Sequence, residues 1–327
     1  MSQLKVITGC LWTVALLLAS WTLWQLPLAT ISQVMTTLAW SQWLAWFALN
    51  LGIIFFSTKR WQVLINLLNL RVRFVHLLLI RQAGTAVSFI TPGPHLGGEP
   101  LQIYCLYKQY ALPLHKAVLA LGLDRFYEMW INFSVLLLGV LIVVFSPATQ
   151  IAGWQELAMI LLVMLLALSL LFWILLSQPL WLTSRMQSLA RRWQQHPRLS
   201  QVENHWQAMG SDLQQAVKTQ KPALLLGLLL SLLVWLGILL ELRLLLSFLN
   251  IAPDLTTFIF IIVAMRLAML LPVPGGIGTI EATLLWSFQT LHLPTTAAVG
   301  LIALIRLRDV VVLAAGLWCL RRMRSPA

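Results

Sequence analysis

The sequence predicts an all-α polytopic membrane protein with an inverted-topology repeat: six full transmembrane helices plus two re-entrant helical hairpins. Three observations predict it. The 327 residues are 60% hydrophobic and 10% charged, with a mean hydropathy of +0.85. Apolar runs of about 20 residues suffice to cross a bilayer as helix, and the alternation of barrel strands is absent. One polar signature then occurs twice, 182 positions apart, as Thr91-Pro92-Gly93-Pro94-His95-Leu96-Gly97-Gly98-Glu99 and Val273-Pro274-Gly275-Gly276-Ile277-Gly278-Thr279-Ile280-Glu281. Finally, each copy is answered by a proline and an Arg-x-x-acid pattern. With the spacing one residue shorter, Pro113, Arg125 and Glu128 fall on Pro294, Arg306 and Asp309. Duplicated interruptions of this kind are the best sequence pointer to a transport site.

The elements follow in order. Residues 6–26 form the first span; a signal peptide would need a small-residue cleavage site that is not evident. Residues 38–57 form the second span, ending at Lys59-Arg60, and a short helix near 61–70 leads to Arg71 and Arg73. Residues 74–90 run to the first Pro/Gly break and 98–110 return from it. Residues 114–145 and 154–177 are spans. The segment 178–221 is the long hydrophilic stretch. Met186, Leu189 and Trp193 recur there at helical spacing among Arg185, Arg191 and Arg192, which reads as a helix on the membrane surface. Ser200-x-x-Glu203 reads as the capping-box start of a second helix. Residues 222–249 are a span, 256–271 run to the second break, 279–292 return, and 295–320 are the last span. Two units result: 1–153 with the hairpin 74–110, and 154–327 with the linker 178–221 and the hairpin 256–292.

Charge placement sets the expected orientation. Twelve ionisable residues fall within apolar segments: Arg81, Glu99, Asp124, Arg125, Glu128, Glu241, Arg243, Arg266, Glu281, Arg306, Arg308 and Asp309. They are six basic and six acidic, while the net +12 of the chain sits in loops and ends. Loops 27–37, 146–153 and 250–255 contain no Lys or Arg, so they read as external, and the basic segments and both termini as cytoplasmic. All sixteen loop Lys/Arg then fall on one side, provided each broken segment enters and leaves on the same face.

The breaks carry the expected chemistry. Proline removes a donor and glycine lets the backbone turn, and irregular backbone at membrane depth requires protein or a wet cavity around it. The tips Pro92, Gly93, Gly97, Gly98 and Pro274, Gly275, Gly276, Gly278 therefore point inward. Free N–H groups after Gly97-Gly98 and Gly276-Ile277-Gly278 would offer a positive helix end to an anion. Glu99 and Glu281 open the return helices, as local caps or as proton or cation couplers. A charge at mid-bilayer costs about 2.5–3.5 kcal/mol on insertion scales, so both need partners, and Arg125 and Arg306 are expected to supply them. Glu128 and Asp309 share a helical face with those arginines. Arg81 and Arg266 lie in the incoming arms; each reads as a headgroup-phosphate ligand or as a structural counterion. Glu241 and Arg243 face opposite ways. Cys10, Cys105 and Cys319 have no metal spacing. There is no P-loop, HExxH, GxSxG or CxxC pattern, so no cofactor, metal or nucleotide chemistry is expected.

Pro274 to Glu281, with Leu304-Ile305-Arg306 downstream, resembles the signature of the lysylphosphatidylglycerol synthase transmembrane-region family, also described as flippase-like membrane proteins. The earlier Thr91-Pro92-Gly93 to Gly98-Glu99 element is similar to that family's first Pro-Gly…Gly-Glu element. The resemblance implies a flippase for a polar lipid and, as site residues, Glu99, Arg125, Glu281 and Arg306. In bifunctional members a C-terminal soluble domain performs aminoacyl transfer; the sequence here ends at Ala327, so a non-enzymatic member is expected. The Pro94-His95 insertion departs from common members. The expectation is thus an inner-membrane lipid translocase. Its partners are a membrane lipid as substrate, anionic inner-leaflet lipids along the basic cytoplasmic face and a separate lipid-synthesising enzyme, with no nucleic acid. The alternatives are a secondary transporter for a small soluble anion and an intramembrane lipid-modifying enzyme.

Overall fold

The structure is a computed structural model and describes residues 36, 38–91, 97–145, 154–177, 197–271 and 273–324. The regular elements among them are helices: α1 (Trp40–Leu67), α2 (Phe74–Ile90), α3 (Glu99–Lys108), α4 (Leu114–Val144), α5 (Trp154–Ser177), α6 (Pro197–Thr219), α7 (Lys221–Phe248), α8 (Leu255–Ala268), α9 (Thr279–Thr290) and α10 (Thr295–Arg324). A 3-10 turn, Pro274–Gly276, lies between α8 and α9.

Uninterrupted apolar runs give the long helices. Three of them are long and apolar enough to cross a membrane: α4, Trp154–Ile174 of α5, and α7. This is a membrane protein. Helix α5 turns most of its side chains outward, as a lipid-facing span does. Helices α1 and α10 are as long, at 28 and 30 residues, but carry polar side chains through their middles. The runs broken by proline and glycine give short helices instead. At 1.5 Å per residue, α2, α3, α8 and α9 span only about 26, 15, 21 and 18 Å, less than the roughly 30 Å of hydrocarbon. Each incoming helix packs on its return partner, α2 on α3 and α8 on α9.

Two details depart from the sequence expectation. Helix α1 runs unbroken through 61–67, because no proline or glycine interrupts residues 53–73. It stops at Asn69, whose positive φ lets the Asn69 and Leu70 N–H groups donate back to Asn66 and Ile65. Ser200 lies inside α6 rather than at a cap, since the helix already includes Pro197, a residue suited to a first turn. The first span 6–26 and the amphipathic stretch 186–193 fall outside the described residues.

Packing follows a paired pattern. Helix α1 lies along α7, α2 along α10, and α8 along α4; α3 packs on α4 as α9 packs on α10. The turn at 274–276 rests against α2. Among the described residues the non-glycine positions with positive φ are Asn69, Ala111, Asn250 and His292, two pairs that are each 181 apart. Two apolar clusters form the core. One gathers Trp61–Leu68 of α1 and the following turn, α2, α3 and Ala117–Leu123 of α4. The other gathers Phe133–Val143 of α4, the end of α7, α8, α9 and the start of α10. Helix α4 runs through both, and Asp124, Arg125 and Glu128 occupy the stretch between them.

Candidate functional site

The charged side chains that hydropathy made conspicuous gather into two networks between the apolar clusters. The first is centred on α4. Asp124 is fully buried and takes Nε of Arg60 at 2.7 Å and Nη1 of Arg81 at 2.9 Å. Glu128, one turn on, takes Nη1 of Arg125 at 2.8 Å, Nη2 of Arg60 at 3.3 Å and Nη2 of Arg81 at 3.7 Å. Arg60 also donates to Oγ of Ser231 on α7. Glu99 lies 3.5 Å from Nε of Arg125, while its other oxygen accepts the Gly97 N–H at 2.7 Å.

The second network is centred on α10. Arg306 donates to Glu281 at 2.6 Å and to Asp309 at 3.0 Å, and it also holds the carbonyl oxygens of Gly275 and Gly276, both at 3.0 Å. Glu281 accepts the Gly278 N–H at 2.8 Å. Arg308 bridges Asp309 and Glu241, each at 3.0 Å. Glu241 is completed from α1 by Trp46 and Asn50, which donate to it at 3.1 Å. Buried carboxylates tolerate this depth because each is paired and hydrogen-bonded; an isolated one would be far costlier.

Between the networks lies a cavity of about 800 Å³. Its polar wall includes Asn50, Arg60, Arg81, Arg125, Glu128, Glu241, Arg266, Arg308 and Asp309, five cations against three anions. Its apolar lining comes largely from Met129, Met164, Leu168 and Leu171 of α4 and α5 and from Ile238 and Leu242 of α7. Arg266 stands on α8 with its guanidinium 5.0 Å from the Trp235 ring centroid. Its Nε is buried and makes no hydrogen bond.

The structure brings together most of the residues singled out from sequence, with three corrections. Arg125, Glu128, Arg81, Arg266 and Asp309 line the cavity, whereas Glu99, Glu281 and Arg306 do not. Glu99 instead pairs with the lining residue Arg125, and Glu281 with Arg306. The tip amides expected to be free for an anion are occupied: Gly97 by Glu99, Gly98 by Ser88, Gly276 by Val273 and Gly278 by Glu281. A carboxylate or hydroxyl placed beside a loose N–H satisfies it locally before any ligand arrives. Pro92 and Gly93 lie outside the described residues.

Arg60 is the cation that sequence reading missed. It follows Lys59 at the end of an apolar run and passed for a cytoplasmic loop charge, yet it is 2% exposed. Arg243 is the reverse case; it is exposed and donates to the carbonyl of Pro253 at the helix end. The exchange leaves the internal count at six arginines and six carboxylates. A signal was present: Asn50, Ile53, Ser57 and Arg60 all line the cavity and follow helical spacing. Glu241 sits 181 positions beyond Arg60, so the position is charged in both halves with opposite sign.

A family described as lysylphosphatidylglycerol synthase TM region matches residues 6–316, and the chain belongs to that family. Nothing among the curated proteins matches the chain, and nothing among the solved structures does.

Proposed function

We propose that this member of the lysylphosphatidylglycerol synthase TM-region family is a lipid translocase of the inner membrane. It moves a polar-headgroup lipid, anionic or polyprenyl-phosphate in character, between leaflets, and it performs no covalent chemistry. The observation that carries this reading is a cavity lined by both cationic and apolar side chains. Its arginines suit an acidic headgroup, and its apolar lining, from the outward-facing α5 together with α4 and α7, suits acyl or prenyl chains. A small soluble anion would have no use for that apolar lining.

The architecture supports alternating access. In this reading the chain is an inverted repeat of six spans and two re-entrant hairpins, α2–α3 and α8–α9, with both termini cytoplasmic. Helix pairings that recur in both halves, and caps repeated at a spacing of 181, support it. So does the contact between the second hairpin's tip and α2 of the first. Rocking of one hairpin against the other opens the cavity to each side in turn. The basic cytoplasmic face holds anionic inner-leaflet lipids, and a separate enzyme makes the substrate.

The test is transbilayer movement of fluorescent phosphatidylglycerol in vesicles carrying the purified chain, read by quenching with a membrane-impermeant reductant. Vesicles with the protein are expected to exchange label across the bilayer well above protein-free vesicles. Glu99→Gln combined with Glu281→Gln is expected to lower that rate about tenfold, each replacement loosening one hairpin from its arginine. No acceleration with anionic, zwitterionic or polyprenyl-phosphate lipid overturns the reading. A normal rate in the double variant removes both glutamates from the mechanism.

A further inference from the structure

Glu128 differs from the other five carboxylates of the two networks. Its side chain is 46% exposed, against 20% or less for the rest, and it faces the cavity. One of its oxygens, Oε2, receives guanidinium groups from three helices: Arg60 of α1, Arg81 of α2 and Arg125 of α4. Convergence from three directions on one oxygen uses a planar carboxylate poorly. A phosphate monoester has three terminal oxygens and so offers each guanidinium an oxygen of its own.

Arg266 differs in the opposite sense. Among the described residues it is the one arginine of the cavity wall without a carboxylate within salt-bridge distance. The Trp235 ring holds its guanidinium without neutralising it.

We propose, resting on the translocase reading, that the cavity is a phosphate site with a resident occupant. Arg266 receives the phosphate of the incoming molecule. The phosphate then replaces the Glu128 carboxylate on Arg125, Arg60 and Arg81, and Glu128 turns into the open cavity. Return of Glu128 to the three arginines releases the phosphate, so the site never leaves that cluster without an anion. Tight binding and easy exit are reconciled because the ligand competes with an internal group of like chemistry rather than with water.

The purified full chain in detergent micelles tests this by equilibrium binding of three probes: short-chain phosphatidic acid, inorganic phosphate and short-chain diacylglycerol. Glu128→Gln is expected to bind the phosphate lipid about tenfold more tightly than the parent, because a charge-assisted competitor is gone. Arg266→Gln is expected to bind it about tenfold more weakly, with Arg266→Lys in between. Glu156→Gln, an exposed acid outside the networks, controls for net charge and is expected to change nothing. Should Glu128→Gln elute as aggregate, Glu128→Asp serves instead, with the same direction expected. Inorganic phosphate that competes only at much higher concentration supports a lipid headgroup as the ligand; equal competition supports free phosphate in the same site. The proposal is overturned if well-folded Glu128→Gln binds the phosphate lipid no more tightly than the parent, or if diacylglycerol binds as well as phosphatidic acid. Binding of the expected pattern without lipid movement in vesicles keeps the site and removes the translocase reading; lipid movement without that pattern does the converse.

Discussion

The two hairpins are latched by the same residue types held with unequal firmness. In the second half Arg306 grips Glu281 at 2.6 Å and Asp309 at 3.0 Å, and it closes the tip by holding the carbonyl oxygens of Gly275 and Gly276. In the first half Arg125 stands 3.5 Å from Glu99, its Nε makes no hydrogen bond, and its firm contact is with Glu128 on its own helix. The side chains follow suit, with Arg306 8% exposed and Arg125 22%. An arginine that satisfies two carboxylates and two carbonyls holds a hairpin in place. One that shares a cavity-facing carboxylate with two other arginines holds it loosely, and on the proposed translocase reading that is the half suited to move.

The glycines of the two tips differ as well. Gly275, Gly276 and Gly278 have positive φ, so the second tip uses glycine for a backbone that other residues resist. Gly98 has an ordinary φ of −84°, but a Cβ there would lie 2.0 Å from the carbonyl oxygen of Gly84. The first tip uses glycine so that α2 and α3 approach closely, as small residues allow between helices in a membrane.

Substitutions sharpen this contrast, and thermal unfolding in detergent micelles reads them on one scale. The largest effect is expected for Arg306→Gln. It leaves Glu281 without its cation, Asp309 with Arg308 alone and the Gly275 carbonyl without the guanidinium, while Gly276 keeps the Thr279 hydroxyl, a loss of about 3 kcal/mol. Gly98→Ala comes next at about 2–3 kcal/mol, because the clash is with backbone and α3 must shift off α2. Gly278→Ala meets nothing within 4 Å and is expected to cost about 1–2 kcal/mol from backbone strain alone. Arg125→Gln is expected to cost only about 1 kcal/mol, since Glu128 keeps Arg60 and Arg81 and Glu99 keeps the Gly97 N–H. Equal losses for Arg306→Gln and Arg125→Gln would erase the distinction between the latches. Arg243→Gln, at the exposed end of α7, is expected to change stability by less than about 0.5 kcal/mol.

The helices and the breaks were legible because hydropathy and Pro/Gly interruptions are local signals. The Glu281–Arg306 and Glu99–Arg125 pairings were legible because charge inside an apolar run demands a partner, and each half offered one at matching spacing. Arg60 was not. Its neighbour Lys59 is exposed, and only tertiary packing shows that α1 continues inward past the charge and turns Arg60 toward Asp124. The cavity was not legible either. It is made where polar side chains of α1, α2 and α4 meet, and a stripe such as Asn50, Ser57 and Arg60 gains meaning only beside its neighbour. The carboxylate that three arginines share was hidden for the same reason, since Arg60, Arg81 and Arg125 come from three different helices.

Opposed entry of the two hairpins is tested most directly by side-specific labelling. In a background with Cys10, Cys105 and Cys319 replaced by serine, Gln109→Cys marks the end of the first hairpin and Thr290→Cys the end of the second; both positions are exposed. A membrane-impermeant maleimide applied to right-side-out vesicles is expected to label position 290 and spare 109, and inverted vesicles are expected to give the reverse. Labelling of both positions from the same side would contradict the inverted repeat and, with it, the pathway between the halves.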